Sequence, residues 1–468
     1  MSLPSHEIRS AALAEPAWSR RRWLAGGLGF SAWAAGALGS AGRTLSTTAR
    51  PTLPVKAKSV IVLFHSGGLP QHDTWDPKPE APAEIRSPFG AIDTRTPGLR
   101  VGALMPQTAR LTDKIAVIRT MVTGDNSHST SGYQMLTGVP HIPLSRENSL
   151  PGRPNDAPSL MALVQALRPP RGGLPSSIVL PRRLANFDGL YPWPGFDAGA
   201  LGRKFDPWLL ECDPNDPKFA APGCELPADL AAARIGDRLQ LLRTLDRSLD
   251  GGAATAEYAL HRQQSIDLIA GGRSGAAFEL AKEPDAVRDR YGRTKYGQCA
   301  LLARRLVEAG VSLVQVNWAS KDKNLPNSGG WDTHEKRNES VKGWLMPMMD
   351  QTYSALIEDL EVRGLLDETL VCHVAEFGHT PKFNRRDGRD HWGKVFSIAL
   401  AGGGIRGGVV HGTTDAHAAE PTGDVVRPCD YLATVFHLMG YEPDTIVGDQ
   451  QNRPMPISRG RIVRGVLA

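Results

Sequence analysis

The stretch that decides the fold is Gln298-Cys299-Ala300-Leu301-Leu302-Ala303-Arg304-Arg305-Leu306-Val307-Glu308-Ala309-Gly310-Val311-Ser312-Leu313-Val314-Gln315-Val316. Residues 298–309 carry apolar side chains at helical spacing. Gly310 stands where a left-handed C-cap belongs, and 311–316 is a buried-type strand that runs into a polar loop. A helix followed at once by an apolar strand is the unit of an α/β fold. The unit recurs downstream: a helical pattern over 341–363 stops at Gly364, Asp367-Glu368 turns the chain, and Thr369-Leu370-Val371-Cys372-His373-Val374-Ala375 reads as the next strand. Upstream, Ser59-Val60-Ile61-Val62-Leu63-Phe64 is continuously apolar and ends at Ser66-Gly67-Gly68, the mark of a central parallel strand covered on both faces.

Weaker signals fill the remainder. Residues 115–118 predict a short strand, 132–136 a helix that begins near 129–131, 159–167 a helix and 177–180 a strand, while helical spacing returns over 227–249, 257–269 and 276–281. Alternating helices and strands predict an α/β class with a mostly parallel central sheet covered by helices on both faces. The chain has no internal repeat. Its 468 residues, 41% hydrophobic with 49 Gly and 36 Pro, suit one large domain with long irregular connections.

The first 44 residues read differently. Ser19-Arg20-Arg21-Arg22-Trp23-Leu24 precedes an uncharged, Ala- and Gly-rich stretch over 25–41 and the small residues Gly39-Ser40-Ala41-Gly42, which is a twin-arginine signal pattern. That stretch is shorter and less apolar than a spanning helix requires. The organisation expected is therefore a signal peptide at 1–44, a Pro-containing linker at 45–57 and a single α/β domain at 58–468, with a loop-rich and helical insertion around 139–290. Export by the twin-arginine machinery would place the folded protein in the periplasm or outside the cell, with no stable membrane span in the mature form.

The net charge of +5 is misleading. Five Arg (Arg9, Arg20, Arg21, Arg22, Arg43) against Glu7 and Glu15 account for most of it, so the rest of the chain is near neutral and lacks the basic run of a nucleic-acid binder. Five cysteines leave at least one unpaired; Cys212 and Cys224 bracket a short loop and could be joined in an oxidising compartment or remain thiols.

In open α/β sheets ligands gather at the carboxyl ends of the strands, so the polar residues just after each strand matter most. Here they are His65, Ser66, His72, Asp73 and Asp76, then His128, then Asp332 and His334, and finally Glu376, His379, Asp390 and His391. Imidazole with carboxylate suits Zn, Mn or Fe, and carboxylates alone suit Mg or Ca. Each has a plainer reading as well: Asp332 as a turn residue after Gly329-Gly330-Trp331, Asp390 and His391 as loop polar groups. Glu376 closes a buried strand, where a carboxylate needs a cation or an Arg.

The chain resembles the bacterial family of unknown function called DUF1501, which is placed in the alkaline phosphatase and sulfatase superfamily. The resemblance spans nearly all of the mature part. It is carried by Asp73-Thr74-Trp75-Asp76-Pro77-Lys78-Pro79, by 128–138, by 301–311, by Trp331-Asp332-Thr333-His334, by Glu376-Phe377-Gly378-His379-Thr380-Pro381, by Gly388-Arg389-Asp390-His391-Trp392 and by 400–405. It implies an alkaline phosphatase-like fold and a hydrolase of phosphate or sulfate esters, small-molecule or saccharide. Such an enzyme uses one or two divalent ions (Zn, Mn, Mg or Ca) on Asp332, His334, Glu376 and His391, with Asp73 and Asp390 as further ligands. In that superfamily a Ser, Thr or Cys nucleophile occupies the position that His128 fills here, counted back from Thr137-Gly138. Ser127, Ser129 and Ser131 are the neighbouring hydroxyls; His128 and Ser129 are the catalytic candidates. A chain without the alcohol could instead be a binding or assembly protein on the same fold.

Overall fold

A computed structural model describes residues 50–171, 173–220, 272–318 and 329–468. The helices expected over 227–249 and 257–269, residue Cys224 and the twin-arginine segment lie outside the described residues. Residues 45–468 cluster as one unit.

Among the described residues eight strands form the central sheet: β1 (Ser59–Phe64), β2 (Ile115–Met121), β3 (Ser177–Leu180), β4 (Trp208–Leu209), β5 (Leu313–Asn317), β6 (Thr369–Val374), β7 (Phe396–Ala401) and β8 (Val409–His411). Their spatial order is β8-β2-β7-β6-β1-β5-β3-β4. All run the same way except β7, which is antiparallel to both of its neighbours. The expected mostly parallel sheet is therefore present, with β1 at its centre between β5 and β6. Five helices matter for the layers: α1 (His128–Thr137), α2 (Leu160–Leu167), α3 (Lys295–Glu308), α4 (Met346–Val362) and α5 (Pro428–Leu438).

Side-chain alternation along β1 sorts the layers. Ile61 and Leu63 face one cluster with Leu301, Leu302 and Leu306 of α3 and Leu356 and Leu360 of α4. Val60, Val62 and Phe64 face the other with Leu136 of α1, Leu163 of α2 and Leu432 of α5. Each such side chain, fully removed from water, contributes about 1.5–3 kcal/mol. Because every residue of β1 is buried on one face or the other, its sequence is a solid apolar run rather than an alternating one.

Register places the chemistry. Phe64 pairs with Val374 of β6 and with Asn317 of β5. The segments leaving these three strands, beginning at His65, Trp318 and Ala375, thus emerge side by side at the carboxyl edge. Two expected helices differ in detail: α3 starts three residues earlier than expected, at Lys295 behind the N-cap Thr294, whose side chain accepts the Gly297 N–H. The pattern over 341–363 is a π-turn at Val341–Leu345 that continues into α4.

Candidate metal centre

Four segments supply the centre. His128 is the first residue of α1, in a loop held by Asp125, whose carboxylate accepts the Ser127 N–H at 2.9 Å, the Thr130 hydroxyl at 2.6 Å and the Ser145 N–H at 3.0 Å. Asp332 follows the fully buried Trp331, which packs edge-on to Trp318 at the end of β5. Glu376 lies two residues past β6. His391 is carried in by a short antiparallel pairing of Gly378–His379 with His391–Trp392.

Gly67 makes the junction possible. Its φ of +109° is strained for any residue with a Cβ, and a Cβ there would sit 2.4 Å from the Asp332 nitrogen. Its own N–H donates to Glu376 Oε1 at 2.8 Å.

The side chains meet closely. His128 Nδ1 lies 2.9 Å from Glu376 Oε1, and its Nε2 lies 3.3 Å from Asp332 Oδ2. His391 Nε2 and His334 Nε2 each lie 2.9 Å from Asp332 Oδ1. On their far sides, His391 Nδ1 faces the Asn126 carbonyl at 2.7 Å and His334 Nδ1 faces Asp390 Oδ1 at 2.7 Å. His128, Asp332 and His391 offer ligand atoms that all lie within 4.8 Å of one another.

These contacts test whether a cation fits. All three imidazoles present both ring nitrogens to oxygen acceptors, and a neutral imidazole has only one N–H. The rings must therefore be protonated, or a cation must stand between some nitrogens and the carboxylates. Glu376 adds a second sign: its Oε2 is buried with no hydrogen-bond partner. The clustered donors of His128, Asp332 and His391, with a partnerless buried oxygen on the adjoining Glu376, fit a divalent ion.

Electrostatics agree. Burial opposes charge on His128, but its hydrogen bonds to Asp332 and Glu376 outweigh that and push its pKa up to about 10. Burial likewise disfavours the Asp332 carboxylate, yet the hydrogen bonds from His128, His334 and His391 hold it well below the usual range. The hydrogen bond to Asp332 raises His334. Without a cation the cluster keeps protons in its place.

Other expected residues go elsewhere. Asp73 is fully buried in an ion pair with Arg337 and accepts the Ser87 hydroxyl at 2.6 Å, so its charge is already matched away from His128. Ser129 donates to the Arg146 carbonyl and accepts the Ser149 N–H, and its hydroxyl is occupied inside the loop packing. Ser131 donates to the Glu376 carbonyl at 2.6 Å and so positions that residue's backbone. Asp390 faces His334 Nδ1 from behind and lies outside the three residues whose ligand atoms cluster. Asp76 pairs with Lys78 and Arg119, and His65 lies in the core against Tyr296 and His373.

A cleft of about 990 Å³ opens onto the centre, and His128, Asp332 and His391 line one part of it. Trp193 also lines it and stacks on His128 with centroids 5.8 Å apart. Trp193, the backbone of Asn126 and Glu147, whose carboxylate accepts the His128 N–H at 3.0 Å, were not anticipated. Asn126 was findable, since it stands two residues before His128 in the loop that enters α1; Trp193 was not, since it lies in a Pro- and Gly-rich stretch without periodicity.

Fold and centre together define an α/β protein with an imidazole and carboxylate cluster at the carboxyl edge of a mostly parallel sheet. The chain belongs to the family described as "Protein of unknown function (DUF1501)", which it matches over residues 57–467. No curated protein matches it. Solved structures similar to it include a sulfatase from Pseudoalteromonas sp., 12% identical over 82% of this chain and 68% of that one, with a TM-score of 0.37. A phosphonate monoester hydrolase from Silicibacter pomeroyi is 12% identical over 88% and 76%, with a TM-score of 0.35. The lipoteichoic acid synthase LtaP from Listeria monocytogenes is 10% identical over 88% and 77%, with a TM-score of 0.34.

Proposed function

We propose that this protein is an exported, metal-dependent hydrolase of phosphate or sulfate esters, small-molecule or saccharide. The observation that carries the proposal is the set of three histidines whose six ring nitrogens all face oxygen acceptors. His128, Asp332 and His391, with Glu376, would hold the ion, and Asp390 would orient His334 beside them. A divalent cation there would supply Lewis-acid polarisation of the ester.

The chain's own groups do the rest. His391 donates its Nδ1 proton to the Asn126 carbonyl, which leaves Nε2 as the ligating atom. His128 lines the cleft between two carboxylates, so it can either ligate or carry a proton to the departing oxygen. The hydroxyls of Ser129 and Ser131 are engaged in backbone hydrogen bonds, and attack by water therefore suits this centre better than a covalent serine intermediate. Export rests on the twin-arginine pattern; among the described residues no helix is long and apolar enough to cross a membrane.

One observation favours a second reading. An imidazole stands at the start of α1 where an alcohol would attack, as expected of a binding or assembly protein that keeps the ion without turnover. The purified full chain decides between them. Bound divalent metal, together with hydrolysis of aryl phosphate or aryl sulfate esters that is lost in Glu376→Ala and His128→Ala, supports the hydrolase. Bound metal without hydrolysis supports the binding role, and metal-free, inactive protein overturns the centre itself.

A further inference from the structure

Besides His128, one part of the cleft wall is formed by Leu209, Glu211, Cys212 and Lys295. The loop that follows β4 is sewn down at several points. The Cys212 N–H donates to the Pro181 carbonyl at 3.1 Å, Asp213 pairs with Lys295 at 3.2 Å, and Arg288 donates to the Pro214 carbonyl at 3.5 Å. Lys295 opens α3, and Cys299 lies one turn further along on the same helix face. Side chains on a helix lean back toward its N-terminus, so the Cys299 thiol leans toward the turn that Asp213 grips.

Cys212, half-buried, packs against the apolar cluster that contains the fully buried Cys299. Burial, with Cys212 close by, pushes the Cys299 thiol well above its ordinary pKa. Two cysteines far apart in sequence thus adjoin one apolar cluster, and the Asp213–Lys295 ion pair ties together the two segments that carry them.

We propose that Cys212 and Cys299 are the sites of a disulfide that pins this wall of the cleft to α3. The oxidant is a small disulfide such as oxidised glutathione. The Cys212 thiolate attacks one oxidant sulfur and releases one thiol. Cys299 then displaces the second thiol, its proton passing to the departing sulfur, so the two protein thiols are oxidised and one oxidant disulfide is reduced to two thiols. Cys212 reacts first because it is the cysteine of the pair that reaches the cleft, whereas Cys299 is buried. The proposal is independent of the reading of the metal centre.

Oxidation of the reduced full-length protein with glutathione disulfide, followed by denaturation, thiol counting and peptide mapping, tests it. The expected result is three reactive thiols among the five cysteines and a Cys212–Cys299 peptide. Cys224→Ser should leave that linkage intact, while Cys212→Ser and Cys299→Ser each abolish it. Reduction should lower the wild-type Tm by several degrees and leave that of Cys299→Ser where it was. Five reactive thiols after oxidation, a Cys212–Cys224 peptide in their place, or a wild-type Tm unmoved by reduction would overturn the proposal.

Discussion

Two groups of histidines lie near the same sheet edge and behave as opposites. His65 and His373, from β1's exit and from β6, pack with ring centroids 4.3 Å apart and planes tilted by 45° inside a cage that includes Trp75, Trp318, Trp331 and Tyr353. Burial without a facing carboxylate pushes the pKa of His65 down to about 3, and it pushes His373 down as well. His128 is also largely buried, yet Asp332 and Glu376 raise it to about 10. The same side chain is a neutral packing group in one place and an acid-paired group in the other. What separates them is whether acids arrive from other strands, not their own position after a strand.

The sharpest way to break this contrast is to remove the shared acid. Asp332→Ala should abolish measurable binding of Zn or Mn in a titration of the purified protein, because it removes the oxygens that His128, His334 and His391 all face. His65→Leu should leave cation affinity within about threefold and cost about 1–3 kcal/mol of stability through the lost hydrogen bond to Tyr296. Equal losses of cation affinity in the two variants would erase the distinction.

A second test separates a structural acid from a ligating one. Asp73→Asn strips the counter-ion from the fully buried Arg337 and should destabilise the fold by roughly 3–5 kcal/mol, read from chemical denaturation. The protein that remains folded should bind metal with unchanged stoichiometry. A lost equivalent of metal would restore Asp73 to the ligand set.

The two histidine groups also predict opposite limbs in a pH profile of Tm for the cation-free protein. His128, raised to about 10, contributes stability that is complete below pH 6.5 and is lost as pH climbs from 6.5 toward 10. His65, lowered to about 3, is neutral when folded, so stability is lost as pH falls from 6.5 toward 3. His128→Gln should flatten the alkaline limb, and His65→Leu should soften the acid one. An alkaline limb that persists in His128→Gln contradicts the assignment.

Much of the fold was legible because burial on both faces leaves an unbroken apolar run. β1 and β3 were found residue for residue, and β6 within one residue, by that signal. β7 was missed although 396–401 is largely apolar, and its antiparallel direction is not legible from apolar content, which carries no polarity along the chain; α5 was missed although Pro428 opens it. At the site, the rule of inspecting strand ends found His128, Asp332, His334, Glu376 and His391, because register fixes where strands finish. It also proposed Asp73, which ends beside the buried Arg337 of a distant segment that no local pattern announces. Ser129 was proposed as the neighbour of His128, but one helical step turns its side chain by about 100° away from it.

The most direct test is diffraction from crystals grown with Zn or Mn, recorded at the absorption edge of the metal. The account predicts an anomalous peak bounded by His128 and His391, Asp332 and the oxygen of Glu376 that has no partner. A metal-saturated crystal with no peak there, and His128 still hydrogen-bonded to both carboxylates, would contradict it.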